Sequence, residues 1–147
     1  IMWAGTIAHN NACGVGREQD WASHDIEHEL SALYDVAHGA GLATVFPAFM
    51  KYTLKQDIMR YAQLAVRVWN CEMDYTDPEK TAREGIAKLE QFWSSIGLPT
   101  SFKELGAKEE DIPQMAAKVG LTDGSRLGSF QPLDTQDIEN VYKLCIK

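Results

Sequence analysis

Basic clusters, paired cysteines and long apolar runs are scarce in this chain, and each shortage removes a class of function. Lys and Arg total 14 against 21 Asp and Glu, for a formal charge of −7 at pH 7 and a pI near 5.0. No Lys/Arg cluster stands out, so neither nucleic acid nor an anionic membrane surface is expected as a partner, because phosphate recognition needs grouped cations. Cys13, Cys71 and Cys145 are odd in number, far apart and without C-x-x-C spacing. They suggest neither a disulfide framework nor a thiolate metal site, and a reducing, cytoplasmic setting fits them best. The longest apolar stretch, Leu42 to Met50, is interrupted by Pro47 and falls well short of the roughly 20 residues that span a bilayer. The N-terminus carries no basic region followed by an apolar core, so no secretory signal is visible.

What is present suits one helical domain. With 147 residues and 45% hydrophobic content, the chain can bury one sizeable core but not two. Numbering begins at Ile1, and Ile1, Met2, Trp3 and Ile7 read as an amphipathic helix entered in mid-course, so a truncated chain is expected. The dominant hydrophobic period is helical, and no alternating run competes with it. From Asp57 to Trp69, Ile58, Tyr61, Ala62, Ala65, Val68 and Trp69 form one face, with Gln63 and Arg67 outward. Thr76-Asp77-Pro78-Glu79 opens the next helix, whose core face is Ala82, Ile86, Leu89 and Trp93. Gly97 should end it in a left-handed cap, and Pro99 blocks continuation. A short turn at Ser101 to Leu105 and helices at Glu109 to Val119 and Asp134 to Cys145 follow. Asp134 caps the last of these, which presents Ile138, Val141, Tyr142 and Cys145, and Gly120 to Pro132 forms a loop. No repeat, low-complexity tract or linker divides the chain. The fold class expected is all-α, an antiparallel helical bundle.

Three of the four histidines, His24, His28 and His38, fall in one short window. On a helix His24 and His28 share a face, with about 5–6 Å between their Cβ atoms, so spacing pairs these two first. His38 precedes Gly39-Ala40-Gly41 and should start a helix beside a backbone free of bulk. Imidazole ligates iron, zinc and copper, and two ligands from one helix with a third from the next make a workable set. A carboxylate would complete it. Asp20 lies four residues before His24 on the same face, whereas Asp25, Glu27 and Glu29 occupy other faces and read as solvated charges, and spacing does not choose among the acids. His9 has no such company and reads as structural. Gly14-Val15-Gly16-Arg17 lacks a preceding strand and the third glycine of a dinucleotide fingerprint, so it reads as an interhelical turn.

Taken together, Ala8-His9-Asn10, Gly14-Val15-Gly16-Arg17, Asp20-Trp21-Ala22-Ser23-His24, Ile26-Glu27-His28-Glu29-Leu30-Ser31-Ala32 and His38-Gly39-Ala40-Gly41-Leu42-Ala43 resemble the C-terminal helical domain of the iron-containing alcohol dehydrogenases, in the butanol-dehydrogenase-like branch. The resemblance is densest from Trp3 to Tyr52, sparser from Phe92 to Leu105 (including Gly97-Leu98-Pro99-Thr100), and thin afterwards. It implies the dehydroquinate synthase-like fold and one divalent metal, iron or else zinc, held by an aspartate and three histidines in a cleft beside a nucleotide-binding domain. By position two of those ligands look like His24 and His38. His28 matches a histidine of the substrate and nicotinamide pocket, which replaces the His24–His28 pairing that spacing favours.

The family's other two ligands lie in an Asp-x-x-x-His motif, and its pyrophosphate sits in a Gly-Gly-Gly-Ser loop. Neither occurs here. Residues 1–147 are therefore expected to be a C-terminal metal-binding domain, inactive alone, with the nucleotide-binding domain absent. The parent enzyme implied is homodimeric and uses NADH or NADPH to interconvert primary alcohols such as butanol with their aldehydes. In it His28 would be catalytic, orienting substrate or relaying a proton. Gly39 and Gly41 would admit close backbone approach, Trp21, Phe46 and Phe49 are candidate pocket walls, and Arg17 is a candidate cofactor contact. The competing expectations are a self-sufficient His-rich metal-binding bundle and a plain helical interaction domain.

Overall fold

The structure is a computed structural model that describes residues 1–119, 121 and 124–146. Its regular elements are helical: α1 (Met2–His9), α2 (Ala22–Tyr34), α3 (His38–Thr53), α4 (Ile58–Trp69), α5 (Pro78–Ser95), α6 (Phe102–Leu105), α7 (Ile112–Lys118) and α8 (Thr135–Lys143). No helix among the described residues is long and apolar enough to cross a membrane.

The expected boundaries rest on local chemistry that the structure displays. Asp57 caps α4 by accepting from the Arg60 N–H, and Asp77 caps α5 by accepting from the Lys80 N–H, with Pro78 opening the helix. Gly97 adopts φ +80° just past α5, as expected for its left-handed cap. Asp134 and Asp137 form a reciprocal capping box at the start of α8. The helix expected over Glu109 to Val119 is divided into a 3₁₀ turn (Glu109–Asp111) and α7, with Pro113 in the first turn of α7, where its missing N–H costs least. Gly120, Thr122 and Asp123 of the expected loop lie outside the described residues. Further along that loop, Leu127 and Leu133 exchange backbone hydrogen bonds of 2.8 Å in each direction. Val68 departs from its expected core position and is 59% exposed.

Two apolar clusters hold the helices. The larger joins Ile26 and Leu30 of α2 and Val45 and Phe49 of α3 to Met115 of α7 and Ile138 and Tyr142 of α8. The smaller gathers Met50 and Leu54 with Ala62 of α4 and Ala82 and Ile86 of α5. Helix α1 buries no residue, and Met2 and Trp3 stand exposed.

Candidate metal centre

The site is made where the first turn of α3 meets the first half of α2. Ala22, Ile26 and Leu30 pack inward, and the Tyr142 hydroxyl donates to the Ile26 carbonyl at 2.5 Å, fixing α2 against α8. Burial pushes that phenol far above its ordinary pKa, so it stays a neutral donor. The next stripe round the helix carries Ser23 and Glu27, both buried, and beyond it lie His24 and His28. Asp35 ends α2 in the left-handed conformation (φ 52°, ψ 37°), and an extended Ala37 returns the chain so that His38 opens α3.

This return brings together histidines that sequence separates. The His24 Nδ1 and His38 Nε2 atoms are 3.1 Å apart. The His38 ring centroid lies 5.2 Å from that of His24 and 5.2 Å from that of His28. Two nitrogens bound to one first-row cation at about 2.0–2.1 Å each stand roughly 3.0–3.4 Å apart, so His24 and His38 fit a shared ion. Burial, reinforced by the neighbouring His38 and His28 imidazoles, lowers the pKa of His24 below its ordinary value. The neutral, ligating form is thereby favoured. His28 is the outermost of the three, with Asp25 3.9 Å from its Nδ1.

Glu27 is the residue that sequence reasoning misplaced. Read as a solvated charge, it is instead fully buried, because α3 covers the face on which it lies. Its Oε2 meets His38 Nδ1, and its Oε1 accepts from the Ser31 hydroxyl. Ligand atoms of Glu27, His28 and His38 lie within 4.8 Å of one another, which outlines a second possible donor group. Both Glu27 oxygens already have partners, however. Gly41 makes room for the carboxylate, since a Cβ there would collide with Oε1 and stand 2.7 Å from Cδ. Gly39 plays no such part, because a Cβ at that position meets nothing within 4 Å. The signal available in sequence was the Glu27–Gly41 pairing across two helices, which no single-helix periodicity displays.

Asp20, one of the nearby acids among which spacing does not choose, is committed elsewhere. Its Oδ1 accepts from the Ala22 N–H at 2.8 Å, and its Oδ2 from the Ser129 and Phe130 N–H groups at 2.8 and 2.7 Å. It fastens the α7–α8 connection to the start of α2. A cavity of about 550 Å³ opens beside His24, with Trp21, Phe46, Asn11 and Gln19 in its wall. His9, expected to be structural, is exposed and lines the same cavity. Trp21 packs on His24 with ring centroids 4.9 Å apart, whereas Phe49 is 6% exposed and belongs mainly to the core. The Gly14–Arg17 segment is a turn, with Gly16 at φ +71°.

Comparison with known proteins identifies the family and the fold. Residues 1–146 match the Fe-containing alcohol dehydrogenase family, C-terminal. The chain is 32% identical over 144 residues to NADH-dependent butanol dehydrogenase A of Clostridium acetobutylicum, covering 97% of this chain and 37% of that protein. It is 31% identical over 143 residues to NADPH-dependent aldehyde reductase YqhD of Escherichia coli, covering 97% of this chain and 36% of that one. The crystal structure of NADH-dependent butanol dehydrogenase A from Thermotoga maritima superposes with a TM-score of 0.90 at 38% identity, over 99% of this chain and 38% of that one. The chain thus spans little more than a third of the length of these relatives. Whole-chain agreement in sequence and in fold places it in the iron-containing alcohol dehydrogenase family, as a match to that family's C-terminal helical region.

Proposed function

We propose that this chain is the metal-binding C-terminal part of an NAD(P)H-dependent alcohol dehydrogenase that interconverts primary alcohols such as butanol with their aldehydes. The observation that carries the reading is the 3.1 Å approach of His24 Nδ1 to His38 Nε2, two imidazole donors turned toward one point. On this reading they supply half of the protein ligands of an iron, or alternatively zinc, ion. A divalent cation held by these residues would supply Lewis acidity toward the substrate oxygen, where negative charge develops during carbonyl reduction.

The chain's own residues do the rest of the work available to them. Trp21 and Phe46 give the cavity apolar surface for an alkyl chain, and Trp21 steadies His24. His28, exposed beside His38, is placed to orient substrate or to hold the proton taken up by the product oxygen. The binding site for the pyridine nucleotide and the remaining metal ligands would come from polypeptide outside these residues, and the chain alone is expected to be inactive.

The test begins with the gene. The reading requires an Asp-x-x-x-His motif and a glycine-rich nucleotide loop encoded upstream of Ile1, and the absence of both sinks it. In the extended polypeptide, His24→Ala and His38→Ala should each remove bound metal together with NAD(P)H-dependent reduction of butyraldehyde. Retained metal in either variant contradicts the assignment. A second reading, a self-sufficient metal-binding bundle, draws on the Glu27–His28–His38 grouping. It predicts tight one-to-one binding by the 147-residue chain that is lost in His28→Ala. The enzyme reading predicts weak binding that depends on His24 and His38 and is indifferent to His28.

A further inference from the structure

A fully buried carboxylate in contact with the ring of an exposed histidine is not accounted for by helix packing. Glu27 has no accessible surface, and burying an ionisable group is costly unless both oxygens are satisfied. Here both are, by Ser31 Oγ on Oε1 and by His38 Nδ1 on Oε2. An ion pair serving only stability would be a poor reason to keep the group, because an apolar residue of similar volume does as well or better at such a site. The position of Gly41 strengthens the point. Any side chain at residue 41 would occupy the carboxylate's place, so two residues on different helices are matched to keep one oxygen at His38.

The consequence falls on the far side of the imidazole. A neutral histidine carries one ring proton, and the nitrogen that donates leaves the other with a lone pair. With Nδ1 facing a carboxylate, the proton belongs on Nδ1, and Nε2 is left open toward His24 Nδ1, 3.1 Å away. We infer that Glu27 is the positioning residue of this site: it fixes the ring orientation and the Nδ1–H tautomer of His38, so that Nε2 is presented as a metal-ligating atom. The inference rests on the metal reading of His24 and His38. It adds a residue that acts through His38 and touches neither substrate nor ion. Ser31 holds the second oxygen and keeps the carboxylate from rotating away.

The tautomer can be read without any metal. Long-range ¹⁵N–¹H correlation on the metal-free 147-residue chain, above the imidazole titration range, should show the His38 proton on Nδ1. Glu27→Leu removes the acceptor in a similar volume and should move that proton toward Nε2. Cobalt(II) affinity, followed by broadening of the His24 and His38 ring signals, should fall roughly 10–100-fold, the range typical of lost supporting contacts. Glu27→Gln keeps an oxygen acceptor and should restore the tautomer and most of the affinity, a rescue that a merely space-filling role would not need. Should Glu27→Leu fail to fold by circular dichroism, the wild-type tautomer and the Glu27→Gln comparison still decide the matter. A wild-type His38 protonated on Nε2 overturns the inference. So does a folded Glu27→Leu chain with unchanged tautomer and cobalt response, and in both cases the metal reading stands if His24→Ala abolishes that response. A wild-type chain whose His24 and His38 signals ignore cobalt overturns the metal reading, and the inference falls with it.

Discussion

Two helix crossings in this molecule are each built on a buried glycine, and the atoms opposite the glycine decide what the crossing does. At the α4–α5 crossing Gly85 faces Ala65, and a Cβ there would stand 2.8 Å from the Ala65 Cα, backbone against backbone. Its surroundings are apolar, with Ala62, Ala82 and Ile86 close by in the smaller core. At the α2–α3 crossing Gly41 faces the Glu27 side chain, and the space saved is filled by a carboxylate that reaches on to His38. A glycine in a helix costs up to about 1 kcal/mol relative to alanine, so both positions give up helix propensity for proximity. One uses it for packing density. The other uses it to bring a buried acidic side chain to a histidine.

The largest expected effect therefore belongs to Gly41. Alanine there should displace the Glu27 carboxylate from His38, cost about 1–3 kcal/mol of stability by leaving a buried polar group imperfectly satisfied, and weaken cobalt binding at His24 and His38 by about tenfold or more. Urea unfolding and cobalt titration measure the two effects separately. Gly85→Ala should follow in size. Overpacking of about 1–3 kcal/mol, partly offset by the gain in helix propensity, should lower the urea midpoint and leave cobalt affinity unchanged. If both variants lose stability alike and neither alters metal binding, the distinction between the crossings disappears.

Gly39 sharpens the comparison by contrast. It shares the first turn of α3 with His38, yet a Cβ there meets nothing within 4 Å, and its φ is not positive. Gly39→Ala should stabilise the chain by up to about 1 kcal/mol, with metal affinity unchanged, as read from the same two titrations. A destabilised Gly39→Ala chain would mean that the α3 terminus needs glycine for a reason other than space.

These contrasts explain what the sequence could and could not disclose. Helix existence and several ends were legible because caps are local: Asp57, Asp77, Pro78, Gly97 and Asp134 act within a turn of their own positions. The histidine cluster was legible as a cluster, but its geometry was not. Spacing paired His24 with His28, whereas the return through Asp35 and Ala37 sets His38 against His24, and only family resemblance anticipated that pair. Glu27 was misread as solvated, and Asp20 was left open among the acids, for one shared reason. Their partners lie 11 and about 109 residues away in sequence, on elements whose placement no helical period encodes. Gly39 and Gly41 look alike in sequence, and only the neighbouring helix separates them.

The smallest expected effect tests the connector that precedes α5. The Asp74 Oδ1 accepts from the Thr76 N–H at 3.0 Å, the Thr76 hydroxyl at 2.7 Å and the Asp77 N–H at 3.0 Å, while the Asp74 N–H donates to the buried Thr81 hydroxyl at 2.9 Å. The Thr76 hydroxyl bond and the two backbone bonds hold its carboxyl at about 2, well below the ordinary carboxylate value. A folded pKa depressed in this way means that the unfolded chain binds the proton more readily. The associated stability is complete above the unfolded value near 4 and is lost as pH falls through about 2. Asp74→Asn keeps an oxygen acceptor and removes only the charge. Its melting temperature should therefore lie slightly below wild type at neutral pH, with the gap closing between about pH 4 and pH 2. Because the carboxylate is solvent-facing, the gap should also narrow with added salt. A gap that persists at pH 2 would trace the connector's order to hydrogen-bond geometry alone.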